Sequence, residues 1–431
     1  MKNGSFTGKV QVVILALFLS LTIGCTGGRE HMPEPGADNG GLRLPDGFKS
    51  LVVAENTGRA RHLTVNDNGD IYVALSQPEN GKGIAALRDT SGDGKADRIE
   101  YFGPFAGTGI DIHKGYLYFA SDTAVVRFRL RPGELLPDTL YEVIVQGFVL
   151  TYQHASKPFT FDTTGYLYVN VGAPSNACQE PDRVEKIPGQ DPCPLLERFG
   201  GIWRFKDDVP GQGQVADGVR YATGLRNCVA LDWSKQLGKL YAVQHGRDDL
   251  HRLFPDLYSE DQGVNLPAEE FVEITEGSDF GWPYCYYDPA QKKKLLSPEY
   301  GGDGTKTGRC EQKKDPIMAF PAHTAPNDLL FYTGSQFPQR YRGGAFINFH
   351  GSWNRSPQQQ EGYYTVFVPF GKETVEGSWE VFASGFPGME KVMSPGDAKH
   401  RPMGLATGPD GSLYISDSVE GKIWRIFYDG K

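Results

Sequence analysis

An all-β fold, a six-bladed β-propeller with long insertions between blades, is predicted for this chain by three observations. A hairpin phrase recurs about six times, no helical pattern of comparable strength interrupts it, and long polar segments separate the later copies. The copies read HLTVNDNGDIYVAL from His62, IDIHKGYLYFA from Ile110, FTFDTTGYLYVNV from Phe159, VALDWSKQLGKLYAV from Val229 and GLATGPDGSLYIS from Gly404. A looser copy is LLFYTGSQFPQRYRGGAFINF from Leu329. Each alternates apolar and polar residues, turns on Gly or Asp, and continues into a second strand. Asn-Gly and Asp-Gly supply the positive φ of a tight hairpin. The lone strand Gly47–Val53 precedes the first copy and is expected to complete the last blade, closing the ring and removing its open edges.

Before that strand, Lys2 and Lys9 flank the start of an apolar core over residues 10–23, which reads as a secretory signal. The stretch Leu21 to Cys25 resembles a bacterial lipoprotein box, with Cys25 as the lipidated residue and a cell-envelope location implied. Leu21 stands one place early, which keeps ordinary signal-peptidase cleavage as the alternative. The expected organisation is a signal over 1–25, a Gly- and Pro-rich tether over 26–41, and the propeller over 42–431. No second segment is long and apolar enough to span a bilayer. A formal charge of −9 without a Lys/Arg-rich block argues against nucleic acid as the partner.

Export would put the cysteines in an oxidising compartment. Cys178 and Cys193 bracket one insertion, Cys285 and Cys310 another, so local pairing would staple both. Zinc competes poorly, because no C-x-x-C pair exists. The absence of C-x-x-C-H removes a covalently bound c-type haem.

The insertions carry the acids, histidines and cysteines, and function is expected on the face where they emerge. Asp89, Ser91, Asp93, Asp97 and Glu100 occupy positions 1, 3, 5, 9 and 12 of a calcium-type loop, with Gly94 at 6 and the Lys95 carbonyl at 7; an acidic turn is the plainer reading. Gly224-Leu225-Arg226-Asn227 offers forked donors suited to carboxylates. Gln244 to Asp249, Glu269 to Glu273 and Asp279 to Pro283 could form an oxygen cage or a solvated acidic face. His154, within Tyr152 to Lys157, is a general-base candidate or a structural histidine. His350 to Arg355 and His400 to Gly404 add basic groups. Cations from several blades in an acidic chain suggest an anionic ligand.

Together these pieces resemble the quinoprotein glucose/sorbosone dehydrogenase family, soluble six-bladed propellers that bind pyrroloquinoline quinone (PQQ) with Ca²⁺. The resemblance runs from Leu44-Pro45-Asp46-Gly47-Phe48 to Gly421-Lys422-Ile423-Trp424-Arg425-Ile426. Its most specific pieces are Gly224–Asn227, Asp279–Pro283 and Arg401–Ala406, and HGSWNR from His350 is similar to the sorbosone branch. It implies that His154 takes the proton of a sugar hydroxyl while hydride passes to the quinone. It implies that Arg226, Asn227 and Arg401 hold PQQ, and that the carbonyls of Gly246 and Arg247 with Glu269 hold calcium. Glu269 replaces the family's aspartate, and three other positions depart from the pattern. No aspartate follows the base by nineteen residues. The fifth-blade lysine is absent, leaving His350 or Arg355 as substitutes. Lys157 stands where arginine is frequent. Electrons would pass to an external acceptor. A calcium-dependent lactonase and a non-catalytic propeller binding glycans or proteins are the other readings.

Overall fold

A computed structural model describes residues 1–5, 8 and 33–430 of the chain. Two units separate by compactness, Met1–Met32 and Pro33–Lys431. Cys25 and most of the expected signal lie outside the described residues.

The second unit is the six-bladed propeller expected from the repeats. Blade 1 runs Ala60–Val65, Ile71–Glu79, Lys82–Arg88 and Arg98–Phe102, each strand antiparallel to the last. Blades 2 to 5 repeat this meander with innermost strands Gly107–His113, Phe159–Phe161, Ala230–Ser234 and Pro326–Phe331. Blade 6 takes Pro402–Thr407, Leu413–Asp417 and Ile423–Tyr428 from the end of the chain and its outer strand, Phe48–Ala54, from the beginning. Phe48 pairs with Tyr428 and Val52 with Trp424, so the ring is closed by hydrogen bonds between the two ends of the domain. The looser copy from Leu329 became a full blade.

Alternation explains why blades pack. In a pleated strand every second side chain meets the neighbouring sheet. Tyr72, Ala74, Ile84 and Ala86 of blade 1 meet Ile110, Leu117 and Phe119 of blade 2 in one buried cluster. Equivalent clusters join blades 2 and 3, 3 and 4, 4 and 5, and 5 and 6. Aromatic residues fill the last of these. Phe48 lies 4.8 Å from Phe337 and 5.0 Å from Phe382, edge to face.

The insertions fold as compact loops against one end of the ring. Both expected disulfides form, Cys178–Cys193 and Cys285–Cys310, and Cys228 is buried and free. The second bridge spans a small hairpin, Cys285–Asp288 with Lys293–Leu296. The two short α-helices, Leu250–Leu253 and Glu260–Asn265, lie in another insertion. Part of the expected tether is docked, because Asn39 accepts from both the backbone N–H and the hydroxyl of Ser50 in the blade 6 closing strand.

The loop Asp89 to Glu100 takes a different form from a calcium cage. Blade 1 pairs Ala86 with Glu100, which draws the twelfth loop position into a strand, where its carboxylate faces Arg98. The Asp89 carboxylate accepts from the backbone N–H of Ser91, Gly92 and Gly94, and Asp97 accepts from Thr90. Asp93 accepts from the N–H of Lys95. The loop closes on itself as an ordinary acidic turn. No group of three or more His, Cys, Asp or Glu side chains among the described residues is placed to hold a metal.

Candidate active site

The innermost strands define a channel with two ends. Their trailing halves, including Leu63–Asp67, Ile110–Lys114 and Leu405–Thr407, line a cavity of about 700 Å³ at one end. The residues leading into them gather at the other end, beneath the insertions.

Arg61 begins that cluster. Its Nε donates to Thr108 Oγ1 of blade 2 at 3.1 Å and its Nη2 to Ser156 Oγ ahead of blade 3 at 3.2 Å. One guanidinium thus spans three blades, and burial lowers its pKa to about 10. Its charge disfavours protonation of His245 and His350, while the charge of Arg226 acts on His154 and His245 and that of Arg401 on His350. Cations from blades 1, 4 and 6 therefore share one electrostatic neighbourhood with histidines from blades 3, 4 and 5.

His154 is held in a left-handed backbone conformation, φ 53°. Its Nδ1–H donates to the carbonyl of Ala173 at 2.5 Å, and its Nε2 has no protein partner among the described residues. Nineteen residues separate the pair, the same separation at which the family resemblance implied an aspartate; here a backbone carbonyl orients the ring. Burial first, and then the Arg226 charge, hold the imidazole well below its usual pKa. The ring is neutral at pH 7 with its Nε2 lone pair free. Gly172 allows the approach, since a Cβ there would lie 2.6 Å from both His154 Cβ and Asn227 Oδ1.

Arg226 is buried and pinned on one side. Nη1 donates to the Gly246 carbonyl and Nη2 to Asp248 Oδ2, both at 2.7 Å, while Nε is buried without a partner. Asp248 is the hub behind it, accepting from Arg183 and Asn354 as well. Despite burial, these partners keep its carboxyl well below the usual range. Asn227 uses Oδ1 to accept from Asn170, which leaves its Nδ2 free of protein partners among the described residues.

Arg401 caps the sixth side. Nε and Nη2 donate to the carbonyls of His350 and Gly351 at 2.9 and 2.7 Å, and Nη1 is free of protein partners among the described residues. His350 Nε2 lies 2.7 Å from Ser418 Oγ. Arg355 is spent elsewhere, donating to the carbonyls of Val264 and Ala322 and pairing with Glu361, so it braces loops. Lys157 is 1% exposed and its ammonium donates to the nearby Ala155 carbonyl. Burial lowers its pKa to about 8. Neither residue adds a free cation to the cluster.

The donor set fits an anionic, carboxylate-bearing quinone. Arg61, Arg226 and Arg401 are each fixed by protein on one side and keep N–H groups to spare, and Asn227 adds an amide. The calcium set does not fit. The Gly246 carbonyl already accepts from a cationic guanidinium. Glu269 accepts from the N–H of Gly246 and of Ala325, and burial raises its pKa to about 7. A carboxyl whose two oxygens are already taken by backbone amides is a poor ligand for a hard cation.

Four parts of this site were not read from the sequence: Arg61, Asp248 as hub, the Ala173 carbonyl and Arg183. Arg61 had a signal, because it immediately precedes the phrase at His62 much as Arg401 precedes the phrase at Gly404. The others depend on contacts between insertions.

Residues 42–429 match the TrAA12-like family. The chain belongs to it. Over 415 residues it is 29% identical to an uncharacterized protein of Borreliella burgdorferi, covering 90% of this chain and 91% of that one. Over 429 residues it is 24% identical to a pyrroloquinoline quinone-dependent pyranose dehydrogenase of Coprinopsis cinerea, covering 89% of this chain and 54% of the relative, so it spans about half that protein's length. A solved structure of a Trichoderma reesei carbohydrate-active enzyme of family AA12 superposes with a TM-score of 0.73 at 19% identity, over 90% of this chain and 98% of that one. The TrAA12-like match and the PQQ-dependent relative bear out the family resemblance drawn from the sequence.

Proposed function

We propose that this TrAA12-like protein is a PQQ-dependent dehydrogenase of a pyranose or related aldose, working outside the cytoplasm and passing electrons to an external acceptor. The observation that carries the reading is that Arg61, Arg226 and Arg401, each with N–H groups to spare, act by charge on one set of histidines, His154, His245 and His350, of which His154 keeps an Nε2 without a protein partner among the described residues. The pyranose dehydrogenase relative supports the cofactor and substrate class. The two disulfides agree with export, and lipidation at Cys25 is part of the proposal.

Arg226, Asn227, Arg61 and Arg401 would hold the cofactor carboxylates and quinone oxygens through forked, charge-assisted hydrogen bonds. PQQ supplies an electron-poor quinone that accepts a hydride from the sugar carbon. His154 takes the hydroxyl proton on Nε2, with Ala173 fixing the tautomer that leaves this nitrogen available. The sugar loses two electrons and two protons and leaves as a lactone, which water afterwards opens to the acid. No step is assigned to calcium, given the engaged donors of Gly246 and Glu269.

The test adds PQQ to purified protein with aldoses and a reducible dye, with and without a calcium chelator. Dye reduction that needs PQQ, survives chelation and is lost in His154→Gln with PQQ binding retained is the expected result. Metal-dependent lactone hydrolysis without PQQ, or binding of neither PQQ nor sugar, would overturn the reading.

A further inference from the structure

The insertion closed by Cys178–Cys193 reaches the base and the buried guanidinium at once. Asp182 and Arg183 together grip the side chain of Gln153, the residue before His154. Gln153 Nε2 donates to Asp182 Oδ2 at 3.0 Å, and Gln153 Oε1 accepts from Arg183 Nη2 at 3.3 Å. The same Arg183 donates to Asp248 Oδ2 at 2.8 Å and to Asp249 Oδ2 at 2.7 Å. Asp248 in turn holds Arg226. The loop is anchored beneath, where Ser175 Oγ and the Asn176 N–H donate to Asp182 and Asn176 exchanges two hydrogen bonds with the backbone of Asp248.

This grip has something to hold. A non-glycine residue at positive φ, such as His154, sits in a conformation disfavoured by roughly 1–2 kcal/mol. Fixing the amide of Gln153 on one side and the ring on Ala173 on the other keeps the imidazole in place. We propose that Arg183 is a positioning residue that sets His154 and Arg226 in register, by clamping Gln153 and Asp248 with one guanidinium. The inference rests on the dehydrogenase reading for its purpose, but its geometry belongs to the protein without cofactor.

The experiment uses the full chain, without cofactor, labelled with ¹³C-histidine, the His154 resonance being assigned by its loss in His154→Gln. In the wild type that resonance should show no titration through pH 6.5. Arg183→Gln frees Gln153, opens the base to water and should move its titration upward toward the ordinary imidazole range, while Arg183→Lys, which keeps charge and loses the fork, should fall between. Gln153→Ala cuts only the base side of the clamp and should shift the same resonance, which keeps the test decisive if Arg183→Gln does not fold. With PQQ and sugar, kcat should fall on the order of ten- to a hundredfold at nearly constant KM. An unmoved His154 titration in Gln153→Ala, or in Arg183→Gln with only its melting temperature lowered, would overturn the proposal and leave Arg183 a brace between carboxylates. Failure of the wild type to use PQQ would overturn the dehydrogenase reading and leave the resonance test standing.

Discussion

At the scale of single residues, the site is built from histidines that are kept uncharged. His62 and His245 donate through Nε2 to the carbonyls of Asn327 and Pro326, and burial lowers both pKa values to about 4. His154 and His350 are lowered as well. The unfolded chain binds these protons near pH 6.5 and the folded chain resists them, so stability is fully present above pH 6.5 and is lost as pH falls toward 4. Melting curves recorded from pH 7 to pH 4 should show this decline, and replacing His245 with Gln should make it shallower. For His154, the proposed base, the same direction predicts a kcat that holds its value as pH falls through 6.5. Asp248 supplies the opposite case. Asp248→Asn leaves the Arg226 guanidinium buried without its counter-charge and should cost about 3–5 kcal/mol in a denaturant titration.

At the scale of elements, the two stapled insertions do different work. Each bridge should contribute roughly 2–4 kcal/mol by restricting the unfolded chain. The Cys178–Cys193 loop reaches Gln153, the residue before His154, through Asp182 and Arg183. The Cys285–Cys310 loop instead carries Lys294 to Glu270 and Glu299 to Arg247, buried pairs behind the site. Replacing either cysteine pair with serine should lower the denaturation midpoint. Only the first replacement should also move the His154 resonance. If both variants move it equally, the division of labour between the loops is wrong. The calcium-type loop shows how an element overrides a motif. Asp89 to Glu100 has the right spacing, yet strand pairing of blade 1 takes Glu100 away and the turn consumes Asp89.

At the scale of the whole molecule, closure of the ring is what brings the site into being. Phe48, buried in the closing strand, touches Phe337, Tyr341, Phe382 and Tyr428. Phe48→Ala should cost about 3–5 kcal/mol, read by denaturant unfolding, and should leave His154 unmoved because blade 3 lies elsewhere on the ring. Loss of the His154 signal at unchanged stability would contradict the separation of scaffold from site.

The blades, the closing strand and both disulfides could be read from the sequence because their causes are local. Alternation of period two, a glycine at a turn and a pair of cysteines around one loop each act over a few dozen residues. His154, Arg226 and Arg401 were legible as chemistry for the same reason, each standing just ahead of a repeat. The tertiary structure alone decided what surrounds them. That the Ala173 carbonyl replaces an aspartate, that Arg61 spans three blades, that Arg355 spends its charge on carbonyls of other loops, and that Glu269 turns to backbone amides all follow from contacts between separate segments of the chain. Hydrogen bonds at this mouth are settled by which groups the closed ring leaves buried together, and no local pattern carries that information.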